Sequence, residues 1–336
     1  MNAPAEATDR THEVTAFHKH ALWTGVTDAN RSAWLRERSK IITASRVPAL
    51  LGLSPREDAF DVYVDALRPA NDFHDVDFGL NDPRTWGSAL EEAIARQAGK
   101  HYGWGVRMSG ALLVSRSHPY LGCTQDAEVE EVAGSGQWVS YEGKTTSNFL
   151  AKTWDEDFER APDHVIAQVQ TQLLVTGASK SIVSCLIGGQ KFVRVDMFPD
   201  PEFFDLILTV VDDMRDRVSR MDPPPPTWRS KEAIKRLYPE DDGEVVVLPK
   251  DALEWTRELQ EIMPRKQELE RREEELKNLL RASIGNATIG VLSDEIGGKT
   301  QWTNATTHRA GYTVNPTSFR VLRSSSGSKK RKSRAA

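Results

Sequence analysis

CTQDAEVEEVAGSGQWVSYEGK, residues 123–144, is the stretch on which the fold turns. It holds two strand-like runs, Asp126–Val132 and Gln137–Lys144, around the turn Ala133-Gly134-Ser135-Gly136. Side chains alternate faces along a strand, so Glu142 and Lys144 point the same way. Asp126 lies at the far end of the first run, and the hairpin returns it to the neighbourhood of Glu142. Two carboxylates and one lysine thus converge at one edge of a sheet.

That set suits hydrolysis of a phosphodiester. A hard cation such as Mg²⁺ takes oxygen ligands and keeps several waters. Asp126 and Glu142 supply carboxylates, and the carbonyl of Gly143 offers a third oxygen. Lys144 is placed to orient an attacking water and to stabilise negative charge in the transition state. Glu91 is a further acid, as an added ligand or an outlying base. A bare Glu-x-Lys is far more often the mark of a solvated hairpin with a surface ion pair. Three features separate the two readings. The strand is otherwise apolar or aromatic, with Trp138, Val139 and Tyr141. A helix upstream presents Glu91. A glutamine-rich helix follows, in which Gln168 and Gln172 are one turn apart on one face; ordinary surface glutamines are the alternative.

Outward from the hairpin, helical segments are expected at Trp34–Arg38, Thr43–Leu51, Trp86–Ala98 and His164–Thr176. Thr43 or Ser45 falls near a helix start. Ala111–Val114 reads as a short strand, and Ser181–Ile187 with Lys191–Phe198 as a hairpin across Gly188-Gly189. The order is helix, β-meander, helix, β-hairpin, helix: an α/β fold with a central mixed β-sheet flanked by helices. The expected organisation is a flexible segment at 1–30, a main domain at 31–222, a proline-rich linker at 223–229, a helical region at 230–283, a small β-rich region at 284–323 and a basic, Ser-rich, disordered tail at 324–336. In the helical region Leu259, Ile262, Leu269, Leu276 and Leu280 follow heptad spacing, with Lys266 and Glu273 in the seam. The region reads as an amphipathic helix, one arm of a helical hairpin, and Pro264 should kink or break it.

Composition excludes more than it selects. The chain has 336 residues, 39% hydrophobic and 28% charged, enough for one large domain and an accessory region. A net charge of −5 decides nothing about DNA, because local distribution steers a polyanion. Cys123 and Cys185 have no partners at metal-ligand spacing, which argues against zinc or an iron–sulfur cluster. The eight histidines show no paired ligand spacing, and His164 reads as a helix-start or surface residue. Gly297-Gly298-Lys299-Thr300 resembles the end of a phosphate-binding loop, but Ser293 stands where its first glycine should be. Trp34, Trp86, Trp104 and Trp138 are expected in the core. No segment suits a membrane span or a signal peptide, so a cytoplasmic protein is expected, in the host cell if phage-encoded.

Several ordered blocks resemble the lambda-type exonucleases, the YqaJ-like viral recombinase family of the PD-(D/E)xK nuclease superfamily. They are Trp34-Leu35-Arg36-Glu37-Arg38 through Ile42-Thr43-Ala44-Ser45, Trp86-Gly87-Ser88-Ala89-Leu90-Glu91, Asp126, Glu142-Gly143-Lys144, and Ala167-Gln168-Val169-Gln170 with Leu174-Val175-Thr176. The resemblance spans about residues 31–220. It implies that Asp126, Glu142 and the Gly143 carbonyl hold the metal, with Glu91 as auxiliary acid. Lys144 becomes the catalytic lysine, Gln168 or Gln170 supports the active site, and Arg38 with Ser45 holds the 5′-phosphate of a DNA end. Thr124-Gln125-Asp126 departs from the family's usual Ser/Thr-Pro-Asp. The implied activity is a Mg²⁺-dependent (or Mn²⁺-dependent) 5′→3′ exonuclease on linear double-stranded DNA. It would leave 3′ overhangs for a single-strand annealing protein in phage-type recombination, and the family's best-known member is a trimeric ring. Two other functions stay open. One is an endonuclease of the same superfamily, for restriction or repair. The other is a non-catalytic DNA-end-binding module that recruits the annealing protein.

Overall fold

In a computed structural model, the described residues are 21–23, 31–69, 78–109, 112–154, 160–292 and 301–308. Two compact units divide the chain, Met1–Tyr238 and Pro239–Ala336. The first unit runs β1 (Ala21–Trp23), α1 (Arg31–Arg38), β2 (Ile42–Thr43), α2 (Val47–Leu50), α3 (Ala59–Leu67), α4 (Pro83–Tyr102), β3 (Gly105–Met108), β4 (Leu113–Ser115), β5 (Leu121–Cys123), β6 (Ala127–Glu130) and β7 (Trp138–Thr146). It continues with α5 (Asp163–Thr176), β8 (Ser181–Ile187), β9 (Lys191–Met197), α6 (Pro201–Arg220) and α7 (Lys231–Leu237). The second unit holds α8 (Ala252–Ile284), β10 (Ile289–Val291) and β11 (Gln301–Thr303). Ala111, Gly297–Thr300, the tail 324–336 and most of 1–30 lie outside the described residues.

The expected α/β architecture is present. A five-stranded sheet has the order β3-β6-β7-β8-β9, antiparallel except for the parallel pair β7–β8. The parallel pair requires a crossover, and α5 supplies it. A second, four-stranded sheet has the order β1-β4-β5-β2. Its strand β1 falls within the segment expected to be loose.

The central hairpin pairs Ala127 with Tyr141 and Glu130 with Trp138. Its turn is held from inside, where the Glu130 carboxylate accepts from the N–H groups of Gly134 and Gly136. Helix α4 starts on an Asp82 cap with Pro83 in its first turn and stops at Gly103, whose φ is 75°. It lies close against the sheet at Gly99, where a Cβ would meet Val106 Cγ2 at 2.3 Å. Only glycine permits that approach, and it brings Glu91, two turns earlier, over β7.

Helix α5 is buried on two sides. Val165, Val169 and Leu173 pack with Val183, Cys185, Val193 and Val195, while Val175 packs with Ile207 and Val211 of α6. The Thr43–Leu51 segment is not one helix. Thr43 ends a strand parallel to β5, opposite Gly122, and Ala44 N–H donates to Gly122 O at 2.8 Å. Pairing with β5 satisfies these backbone groups, so helix α2 begins only at Val47. Of the four tryptophans expected in the core, Trp34, Trp104 and Trp138 are half-buried, and Trp104 packs against the cluster around Tyr141 and Ile182. Trp86 is 52% exposed, and Trp154, Tyr141, Phe60 and Tyr63 are buried instead.

The expected boundary at Pro223–Pro226 precedes α7, and the division between units falls after that helix. Asp58, the cap of α3, accepts from Ser230 Oγ and Thr227 Oγ1, and Arg236 reaches Asp61 at 3.1 Å. Burial opposes ionisation of Asp58, but the Ser230, Thr227 and Asp61 donors hold its pKa below the usual value. Asp58→Ala should cost about 2–3 kcal/mol, the scale of hydrogen bonds to a charged acceptor. Urea unfolding at pH 7 reads this directly. Because the folded pKa is depressed, the contribution should be lost as pH falls through it.

In the second unit, α8 continues through Pro264 for 33 residues rather than breaking there. Proline removes one helical N–H but keeps a helical φ. Ion pairs along the helix, Lys266–Glu270 and Lys277–Glu273 among them, favour continuity. Its Leu259, Ile262, Leu269 and Leu276 are exposed. β10 and β11 form an antiparallel pair beyond it. Among the described residues, no helix is long and apolar enough to cross a membrane.

Candidate active site

Strand β7 carries the site. Ser140, Glu142 and Lys144 face α5, while Tyr141, Gly143 and Thr145 face α4. Glu142 is 2% exposed. Lys144 Nζ donates to Glu142 Oε1 and, at 3.3 Å, to Gln168 Oε1. Gln168 Nε2 also donates to Glu142 Oε1. Asp126 sits one residue outside the β6–β7 ladder, opposite Glu142, and its Oδ2 accepts the Gly143 N–H at 2.8 Å. Across the strand, the Cα of Glu91 is 3.8 Å from where a Gly143 Cβ would stand. Asp126, Glu142, Gly143, Lys144, Gln168 and Glu91 are therefore brought together.

The cluster has three carboxyl groups and one ammonium. Burial, then the Glu142 charge, pushes the Asp126 carboxyl well above the usual range, against the pull of Lys144. The same two causes raise Glu91. Partial burial pulls the Lys144 pKa down, but Glu142 and Asp126 more than offset it, and the ammonium stays charged. The surplus is negative, buried and next to a lysine, an arrangement that a cation would relieve.

Gln170 is placed elsewhere. Its amide donates to Phe198 O at 2.8 Å and accepts from Asp200 N–H at 3.1 Å, tying α5 to the start of α6. Two residues along a helix turn by roughly 200°, so Gln168 and Gln170 cannot serve the same face. The second glutamine on the site's face is Gln172, one turn beyond Gln168 and fully buried. It donates to Glu142 Oε2 at 2.7 Å and to Thr124 O at 3.0 Å. Its spacing from Gln168 was visible in the sequence, but no motif marked it. Gln125, in place of the family's proline, is buried, and neither of its amide atoms has a hydrogen-bond partner among the described residues.

Arg38 and Ser45 form a second cluster. Arg38 Nη2 donates to Ser45 Oγ at 3.2 Å and Thr43 Oγ1 at 3.5 Å, and the two hydroxyls are 3.1 Å apart. Trp34 lies 5.5 Å beneath the guanidinium. Strand β5 links the clusters, since Thr43 pairs with Gly122 just ahead of Thr124 and Asp126.

Among the described residues, no three His, Cys, Asp or Glu side chains form a ready metal cage. Mg²⁺ does not need one, because it binds through one or two carboxylates and completes its shell with water and substrate phosphate. Asp126 and Glu142 with their excess negative charge fit such an ion.

An aspartate ahead of one strand and Glu-x-Lys along its antiparallel neighbour, in a mixed sheet between helices, place the chain in the PD-(D/E)xK fold class. Residues 33–179 match the YqaJ-like viral recombinase domain. The uncharacterized protein YqaJ of Bacillus subtilis (strain 168) is 26% identical over 273 residues, 80% of this chain and 82% of that protein. Among solved structures, the alkaline exonuclease LHK-Exo of Laribacter hongkongensis is 15% identical, with a TM-score of 0.44 over 60% of this chain and 98% of its own. LHK-Exo in complex with dAMP is similar over the same shares, with a TM-score of 0.45.

Proposed function

We propose that this chain is a Mg²⁺-dependent exonuclease that digests one strand of linear duplex DNA from its 5′ end and leaves a 3′ overhang. The observation that carries this reading is the Asp126–Glu142–Lys144 cluster, with excess negative charge beside a charged lysine. Asp126, Glu142 and the Gly143 carbonyl are the residues assigned to the metal, with Glu91 next to them. When bound, the metal supplies Lewis acidity at the scissile phosphate and a lower pKa for water. The ammonium of Lys144 orients the attacking water and offsets the charge that builds on the phosphoryl oxygens. Gln168 holds Lys144 and Glu142 at a fixed separation. The family domain at 33–179 supports a role in phage-type recombination, with a single-strand annealing protein as the partner that takes the overhang. We assign the assembly as a ring of three copies, which sedimentation equilibrium can test.

Arg38 with Thr43 and Ser45 is assigned to the terminal 5′-phosphate. A guanidinium and two hydroxyls supply donors matched to phosphate oxygens. Arg38→Ala should raise the half-saturating concentration of 5′-phosphorylated ends roughly 10- to 100-fold, the worth of a lost charged hydrogen bond. Its effect on 5′-hydroxyl ends should be small, and equal loss on both would remove Arg38 from this role.

The deciding experiment uses one linear duplex, 5′-phosphorylated at one end and 5′-hydroxyl at the other, with strand-specific labels, Mg²⁺ and a closed-circle control. Loss of the 5′-phosphorylated strand with the circle intact is the expected result. Cutting of the circle would establish an endonuclease, and DNA binding without cutting would establish an end-binding module.

A further inference from the structure

Gln172 is the most completely buried polar group of the site, and its amide has an uneven pattern of contacts. Both neighbours of its nitrogen are acceptors, Glu142 Oε2 and Thr124 O. The NH₂ group must therefore face them, one proton to each. That orientation leaves Oε1 buried with no hydrogen-bond partner among the described residues. Burying an unpaired acceptor is costly, so the residue is a poor choice for stability alone. An aliphatic side chain would fill the same space without the loss.

The two hydrogen bonds join the halves of the site. Glu142 lies on β7, and Thr124 lies two residues ahead of Asp126 on the neighbouring chain segment. One rigid amide therefore sets the Glu142 carboxylate relative to the strand that delivers Asp126. Glu142 Oε1 is meanwhile held by Lys144 and Gln168. With Gln172 on Oε2, the carboxylate plane is held from both oxygens.

We propose that Gln172 is a positioning residue that aims Glu142 at a divalent metal shared with Asp126. This rests on the nuclease reading above. Gln172 touches neither DNA nor metal in this role, and acts only through Glu142 and the Thr124 carbonyl. Partners that orient a ligand in this way typically govern 10- to 100-fold of metal affinity.

The test is Mn²⁺ binding to the full chain without DNA, followed by electron paramagnetic resonance of the free ion, for wild type, Gln172→Met and Gln172→Leu. Both variants remove the amide and keep the bulk. The expected result is a loss of roughly 10- to 100-fold in Mn²⁺ affinity, in a variant that still shows a cooperative metal-free melting transition well above the assay temperature. On linear duplex, kcat should fall while KM for DNA stays the same. Wild-type affinity in a variant that melts normally would overturn the positioning role and leave the nuclease reading standing. Absence of Mn²⁺ uptake by wild type would overturn both. Should one variant fold poorly, the other decides by the same two readings.

Discussion

Lys144→Ala is expected to reduce hydrolysis of linear duplex DNA roughly 10²- to 10³-fold or more, the scale on which a donor to developing negative charge acts. The chain should still fold, because the Lys144 side chain is 28% exposed and fills no core position. Its ammonium sits between Glu142 and Gln168, and the surrounding carboxylates keep it protonated. Removing it leaves Glu142 buried against two glutamine amides without a counter-charge. DNA binding should persist, so the loss belongs to kcat rather than KM. Lys144→Arg should not restore the rate, since a planar fork cannot replace a point charge between those two partners. Single-turnover digestion of end-labelled duplex measures the effect. Full activity in the alanine variant would remove the proposed mechanism.

Asp126→Asn should have opposite effects on activity and on metal-free stability. Activity should be lost, because the site loses one of the two carboxylates assigned to the metal. Without metal, however, the variant should be more stable than wild type at pH 7, because the raised carboxyl of Asp126 costs stability once it must ionise, at about 1.4 kcal/mol per pKa unit. Asparagine can keep the hydrogen bond from Gly143 N–H while relieving repulsion with Glu142 and Glu91. The pH dependence follows from the raised carboxyl. A group whose folded pKa lies above its unfolded value contributes most below the unfolded value, and that contribution is lost as pH rises through the folded one. Metal-free wild type should therefore lose stability from about pH 4 towards neutrality. Asp126→Asn should show a flatter curve, with the remainder due to Glu91. Mg²⁺ should raise the melting temperature of wild type and leave that of the variant unchanged. Thermal melts at several pH values, with and without Mg²⁺, contain all of these comparisons. A variant less stable than wild type at pH 7 would show that the cluster is not under charge strain.

What the sequence determined by itself is local. Alternation within 137–144 put Glu142 and Lys144 on one face, and a glycine-containing turn between two strand-like runs brought Asp126 back opposite Glu142. Periodicity likewise placed α4 and α5, within a few residues of their ends. Each of these follows from neighbours close along the chain, where strand and helix periods act directly.

Only the tertiary structure decided which glutamine serves the site. Gln168, Gln170 and Gln172 are equivalent by composition, and α5 is buried on two sides, so no polar face announces itself. The packing of Val165, Val169 and Leu173 against β8 and β9 fixes the rotation of the helix, and that rotation turns Gln168 and Gln172 to Glu142 and Gln170 to α6. The same holds at Thr43, where pairing with Gly122 overrides a helical reading, and at Asp58, whose partners Thr227 and Ser230 lie some 170 residues away in sequence. Burial and long-range pairing depend on which surfaces meet, and that information belongs to the assembled fold rather than to any window of residues.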